Sequence, residues 1–121
     1  MGYPVVSSGA YAHRGSFEHL TGADGALAQK LSIENMVGDG FPRTFLWHTA
    51  EDASVPVQNS LLLAQALADH GIGFSLHVFS HGKHGASLAT DQTAFKGCAE
   101  HIQPQVQGWP EQFVAWERDG R

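Results

Sequence analysis

Thr44-Phe45-Leu46-Trp47-His48, the turn Thr49-Ala50-Glu51-Asp52-Ala53-Ser54-Val55-Pro56 and, further on, Phe74-Ser75-Leu76-His77-Val78-Phe79 decide the fold of this chain. The first run is continuously apolar and ends in a turn, the pattern of a strand covered on both faces. Ser54 offers a side-chain cap for a following helix, and Pro56 falls in its first turn, where no N–H is needed. Val57, Leu61, Ala64, Leu67 and Ala68 recur at helical spacing, and Gly71 supplies the stop. Phe74–Phe79 then reads as a second strand. Strand, roughly 14 residues of helix, strand is a βαβ unit with parallel strands and a right-handed crossover.

Outward from this unit the signals weaken. Tyr3-Pro4-Val5-Val6-Ser7 reads as a third, short strand, with Pro4 tolerable at its start. Residues 9–42 are punctuated by Gly, Asp and Asn. They carry two weak helical patterns, one at Ser16-Phe17-Glu18-His19-Leu20 and one from Ala26 to Val37 with Leu27, Leu31 and Met36 on one side. Gly38-Asp39-Gly40-Phe41-Pro42 ends this region. Residues 80–108 read as a long polar loop with a single helical turn. Trp109-Pro110 opens a final amphipathic helix, with Phe113 and Trp116 as core anchors. The fold class is α/β with a parallel sheet of about three strands and flanking helices. So few strands leave an open edge and uncovered apolar faces, so the chain reads as the C-terminal part of a larger sheet.

Composition narrows the function classes. A chain of 121 residues with 42% hydrophobic residues and three Trp is one domain or part of one, with a real core. Seven basic against twelve acidic residues give a net charge of −5, and no basic stripe appears. This argues against nucleic acid and against an anionic membrane as partners. The single Cys98 allows no intrachain disulfide and reads as an inert small hydrophobe or surface thiol. Met1-Gly2-Tyr3 lacks the basic start of a signal peptide, and no apolar run approaches the roughly 20 residues of a membrane span. A cytoplasmic location is the default expectation.

The chemistry concentrates at Asp52 and His84. Each lies just past one of the two clear strands, so in a parallel pair both emerge at the carboxyl edge of the sheet, where open α/β proteins place their ligands. Histidine changes charge near neutral pH and is the commonest general base. Gly82 and Gly85 give the backbone around His84 freedom to reach across the edge. A carboxylate beside it fixes the tautomer and stabilises the imidazolium, and neighbouring strands about 5 Å apart bring the two within reach. Glu51, one residue earlier, is the rival acid. His81 and His84 form a His-x-x-His pair that His48 or His77 could extend toward zinc. The chain lacks His-Glu-x-x-His and any cysteine pair, so no metal or other cofactor is expected. His13, His19, His70 and His101 read as solvated or capping residues.

These segments carry a resemblance. From Tyr3 to Leu88 the chain resembles the C-terminal half of the α/β-hydrolases related to acetyl and xylan esterases and, more distantly, to prolyl oligopeptidases. The resembling stretches are Tyr3-Pro4-Val5-Val6-Ser7, His13-Arg14-Gly15-Ser16-Phe17, Leu46-Trp47-His48-Thr49-Ala50-Glu51-Asp52, Val55-Pro56-Val57-Gln58-Asn59-Ser60 and His81-Gly82-Lys83-His84-Gly85. The tail with Trp109 and Trp116 fits a Trp-containing last helix. The resemblance implies Asp52 as triad acid and His84 as triad base. It makes residues 9–42 a lid-like insertion and implies a small acyl ester, such as an acetylated sugar, as substrate.

One part of the family pattern is missing from the sequence. A serine in Gly-x-Ser-x-Gly on a strand-to-helix elbow occurs nowhere. Ser75 and Ser87 have a glycine two residues before but none two after, and Ser80 has only Gly82 downstream. Ser8 follows a strand end and precedes Asp52 and His84 in chain order, yet no tight Gly turn into a helix follows it. The expectation is a serine hydrolase fragment that is inactive alone and meets either a second copy or a nucleophile-bearing N-terminal half. A non-catalytic binding module and a fragment of a prolyl oligopeptidase-like peptidase are the alternatives.

Overall fold

The computed structural model describes residues 1–120. Its centre is the βαβ unit: β1 (Thr44–Thr49), α3 (Gln58–Asp69) and β2 (Phe74–Phe79). Two short helices precede it, α1 (Arg14–Thr21) and α2 (Gly25–Lys30), and α4 (Trp109–Asp119) closes the chain. The strands pair in parallel, from Thr44 opposite Phe74 to Thr49 opposite Phe79. Every residue of β1 is buried, as its unbroken apolar run requires, whereas β2 is half-exposed.

Side chains alternate across β1 and serve two cores. Leu46 packs with Val6, Val37, Leu63, Ala64 and Leu67 on the α3 side. Phe45 and Trp47 pack with Tyr3, Ala86, Ala89 and Val106 on the other, where Trp109 stacks on Trp47 at 5.2 Å. Helix α3 ends as its sequence implies. Gly71 is left-handed at φ +66°, its N–H bonds to the Ala68 carbonyl, and the N–H of Ile72 bonds to that of Leu67. Those two bonds are a Schellman cap, and Ile72 adds the apolar contact that accompanies it.

Several expectations change. The third strand is reduced to one parallel bridge between Gly2 and Trp47. The reason is local: Tyr3 has φ +49°, which turns the chain out of extended geometry, and Pro4 brings no N–H. The sheet therefore has two strands, not three. Ser54 does not cap α3; Val57 holds that position without a side-chain bond. The buried face of α3 is Asn59, Ser60, Leu63, Ala64 and Leu67, while Leu61 and Ala68 face outward. Polar Asn59 and Ser60 are inside because they have partners there: Asn59 Oδ1 accepts from the N–H groups of Val6 and Ser7, and Ser60 meets His48.

The pattern from Ala26 to Val37 splits at Leu31 into α2 and a 3₁₀ turn at Ile33–Asn35, and Leu27 and Met36 are exposed. Phe113 is 39% exposed rather than a core anchor, although it meets Phe45 edge-on at 5.5 Å. Helix α4 is tied to the sheet by Arg43, whose guanidinium lies 4.0 Å from the Trp116 ring centre and donates to the Glu117 carboxylate at 2.9 Å. It also donates to the Trp116 and Glu117 carbonyls at the helix end. No helix among the described residues is long and apolar enough to cross a membrane.

Candidate active site

Asp52 and His84 meet. The Nδ1–H of His84 donates to Asp52 Oδ2 at 2.7 Å, across two loops that leave the carboxyl ends of β1 and β2. The Asp52 side chain is completely buried, and that of His84 is 40% exposed. The other carboxylate oxygen, Oδ1, accepts the backbone N–H groups of Ser54 at 2.9 Å and Val55 at 2.8 Å. An Asx turn therefore fixes the carboxylate, and its free edge points at the imidazole. Since Nδ1 is committed to Asp52, Nε2 lies on the far side of the ring. It has no hydrogen bond among the described residues. An imidazole held in this way can take a proton at Nε2 while the carboxylate stabilises the resulting charge.

The loop that carries His84 is anchored at several points. Thr49 Oγ1–H donates to the Gly82 carbonyl at 2.7 Å. Gly82 itself has φ +132°, and a Cβ there would stand 2.9 Å from Thr49 Cγ2, so the loop crosses β1's end only because this residue is glycine. The Tyr3 ring packs 5.0 Å from that of His84, and its hydroxyl donates to the Lys83 carbonyl. Burial pushes the Tyr3 phenol above its ordinary pKa, which keeps that donor protonated.

The remaining candidates separate. Glu51, the rival acid, is exposed and pairs with His81 at 2.8 Å while also accepting the Gly82 N–H. The hydrogen bond from His81 holds the Glu51 carboxyl below its usual range. His77 stacks under Phe45 and bonds to Ser75, remote from His81 in role and partners. No group of three or more His, Cys, Asp or Glu among the described residues could hold a metal ion. Ser8 bonds to Ser32, through its N–H at 2.9 Å and its hydroxyl at 2.7 Å, and not to His84.

The residue that sequence reasoning missed is His48. It is fully buried at the end of β1, with Nε2 2.9 Å from the Val55 carbonyl and 3.3 Å from Asp52 Oδ2, and Nδ1 2.7 Å from Ser60 Oγ. The signal was present. A polar residue at the close of an apolar strand, four positions before Asp52, needs buried partners.

The prolyl oligopeptidase family matches this chain over residues 26–101. The chain belongs to that family. Endo-1,4-beta-xylanase B of Butyrivibrio fibrisolvens is 40% identical over 94 residues, covering 76% of this chain and 15% of that protein. A carboxylesterase from Lactobacillus plantarum superposes with a TM-score of 0.85 at 30% identity, over 98% of this chain and 42% of the esterase. An acetyl ester-xyloside bifunctional hydrolase from Caldicellulosiruptor lactoaceticus gives 0.72 at 45% identity, over 93% of this chain and 41% of that one. The fold is thus part of an α/β-hydrolase, and the chain spans less than half the length of each of these similar proteins.

Proposed function

We propose that this chain supplies the acid and the base of a serine hydrolase that cleaves carboxylic esters, acetylated sugars foremost. The observation that carries the reading is the 2.7 Å bond from His84 Nδ1 to a fully buried Asp52 carboxylate, with the opposite ring nitrogen unbonded. The names of the neighbours, a carboxylesterase and an acetyl ester-xyloside hydrolase, support the ester class. In the reaction a serine hydroxyl from outside these residues attacks the acyl carbon, and its proton passes to His84 Nε2. Collapse of the tetrahedral adduct breaks the acyl–oxygen bond, and the leaving alkoxide takes the proton from Nε2. Water then repeats the sequence on the acyl-enzyme, with His84 again as base and then acid. Asp52 holds the ring in the Nδ1–H tautomer throughout.

The test joins this chain to the part of the Lactobacillus plantarum carboxylesterase that it does not cover, and measures turnover of 4-nitrophenyl acetate. The chimera is expected to be active. His84→Ala should lose on the order of 10⁵–10⁶ in kcat, and Asp52→Asn about 10⁴. A folded chimera without turnover, or one indifferent to His84→Ala, overturns the reading. The isolated chain should show no turnover; His84-dependent activity there would place the nucleophile within these residues. The family match favours one second reading, a peptidase. In that case the chimera would cleave a proline-containing peptide and show little preference for the ester.

A further inference from the structure

We propose that His48 is a positioning residue for Asp52: as a neutral imidazole protonated at Nε2, it clasps the Asp52–Val55 turn and holds the carboxylate's orientation toward His84. The inference rests on the reading of Asp52 and His84 as a working pair.

The tautomer follows from the partners. The Val55 carbonyl, 2.9 Å from Nε2, can only accept, so Nε2 carries the proton. Nδ1 is then an acceptor and takes the Ser60 hydroxyl proton at 2.7 Å. Asp52 Oδ2 lies 3.3 Å from the same Nε2, so the carboxylate rests against the ring edge whose N–H is bonded to the Val55 carbonyl. Val55 is thus gripped from both sides, its N–H by Asp52 Oδ1 and its C=O by His48. Asp52, His84 and the Tyr3 ring are the groups that face His48. Burial and the neighbouring His84 both favour the neutral ring, against the pull of the Val55 carbonyl and Asp52; the net shift is downward. A neutral ring donates a hydrogen bond without setting a second cation against the carboxylate, which leaves the Asp52 charge for His84. Ser60 on α3 fixes the ring's rotation.

The experiment reads ring tautomers in the full chain by long-range ¹H–¹⁵N correlation, which needs no substrate. In the wild type, His48 should be protonated at Nε2 and neutral His84 mainly at Nδ1. In His48→Phe, which keeps the bulk without the donor, the Nδ1–H form of His84 should fall from majority to minority. His48→Gln, whose amide can donate from a similar position, should preserve it. Leu63→Ala, which weakens the core on the α3 side without removing a polar partner of His48 or of the turn, should also preserve it. A wild-type His48 protonated at Nδ1 overturns the proposal. So does a His84 tautomer indifferent to His48→Phe, or an equal loss in Leu63→Ala. Should His48→Phe not fold, loss of the Nδ1–H form in His48→Gln is decisive against the role. An inactive chimera with these tautomers intact would instead count against the functional reading alone.

Discussion

The two loops at the carboxyl edge of the sheet hold Asp52 and His84 by opposite means. The loop after β1 is short. It buries Asp52 completely and fixes it through two backbone N–H groups within three residues, with His48 behind. The loop after β2 runs on to residue 108 and leaves His84 40% exposed. It is tied down by contacts distant in sequence: Thr49 to Gly82, Tyr3 to Lys83, and Glu51 to His81. Local bonds survive small shifts of the fold, whereas distant ones report them. Asp52 is therefore the fixed reference, and His84 is the part whose position depends on the rest of the molecule.

The sharpest way to break this contrast is to remove each side chain in turn. Asp52→Ala leaves the buried Val55 N–H and the partly buried Ser54 N–H without their acceptor and removes the charge bonded by His84, and should cost about 3 kcal/mol in urea denaturation. His84→Ala, at a half-exposed ring, should cost less than about 1 kcal/mol. Equal losses would dissolve the distinction between the loops.

Gly82→Ala comes next. It forces a Cβ to within 2.9 Å of Thr49 Cγ2 at a backbone angle that favours glycine. A loss of about 2 kcal/mol is expected, with the His84 ring resonances displaced and the Asp52–Val55 amides unmoved. Displacement of both sets would mean the loops move together.

A smaller effect sharpens the picture of the acid side. Burial keeps the folded-state pKa of His48 below that of the unfolded chain. The unfolded state therefore binds more protons, and the stability linked to His48 is fully present above pH ~6.5 and is lost as pH falls from there toward the folded value. The urea midpoint should drop over that window, and His48→Gln should flatten the slope. The smallest effect belongs to Glu51→Gln on the exposed rim. It should leave the urea midpoint unchanged at neutral pH but weaken the exchange protection of the Gly82 amide, whose acceptor is Glu51.

The same contrast explains what could be read from the sequence. β1, α3 and β2 announced themselves because a buried strand and a Gly-stopped helix have local signatures, and Asp52 and His84 were found from their place just beyond the two strands. The inward face of α3 was misjudged. Periodicity counts apolar residues, while Asn59 and Ser60 are inside for their hydrogen bonds and Leu61 is not. The strand expected from Tyr3 to Ser7 dissolved because one residue at φ +49° outweighs the three apolar residues after it, a conformation no composition reveals. His48 drew notice only as a possible extension of a zinc pair; its place in an apolar strand signalled buried partners, and the folded chain shows which they are.

Arg43 carries a last consequence. It stacks on Trp116 and caps the end of α4 one residue before β1 begins, whereas Asp52 lies beyond the other end of that strand, about 20 Å away. Helix α4 is thus moored at the opposite end of β1 from the Asp52–His84 pair. Dyes, affinity handles or surface attachments placed on that helix end would stand clear of Asp52 and His84.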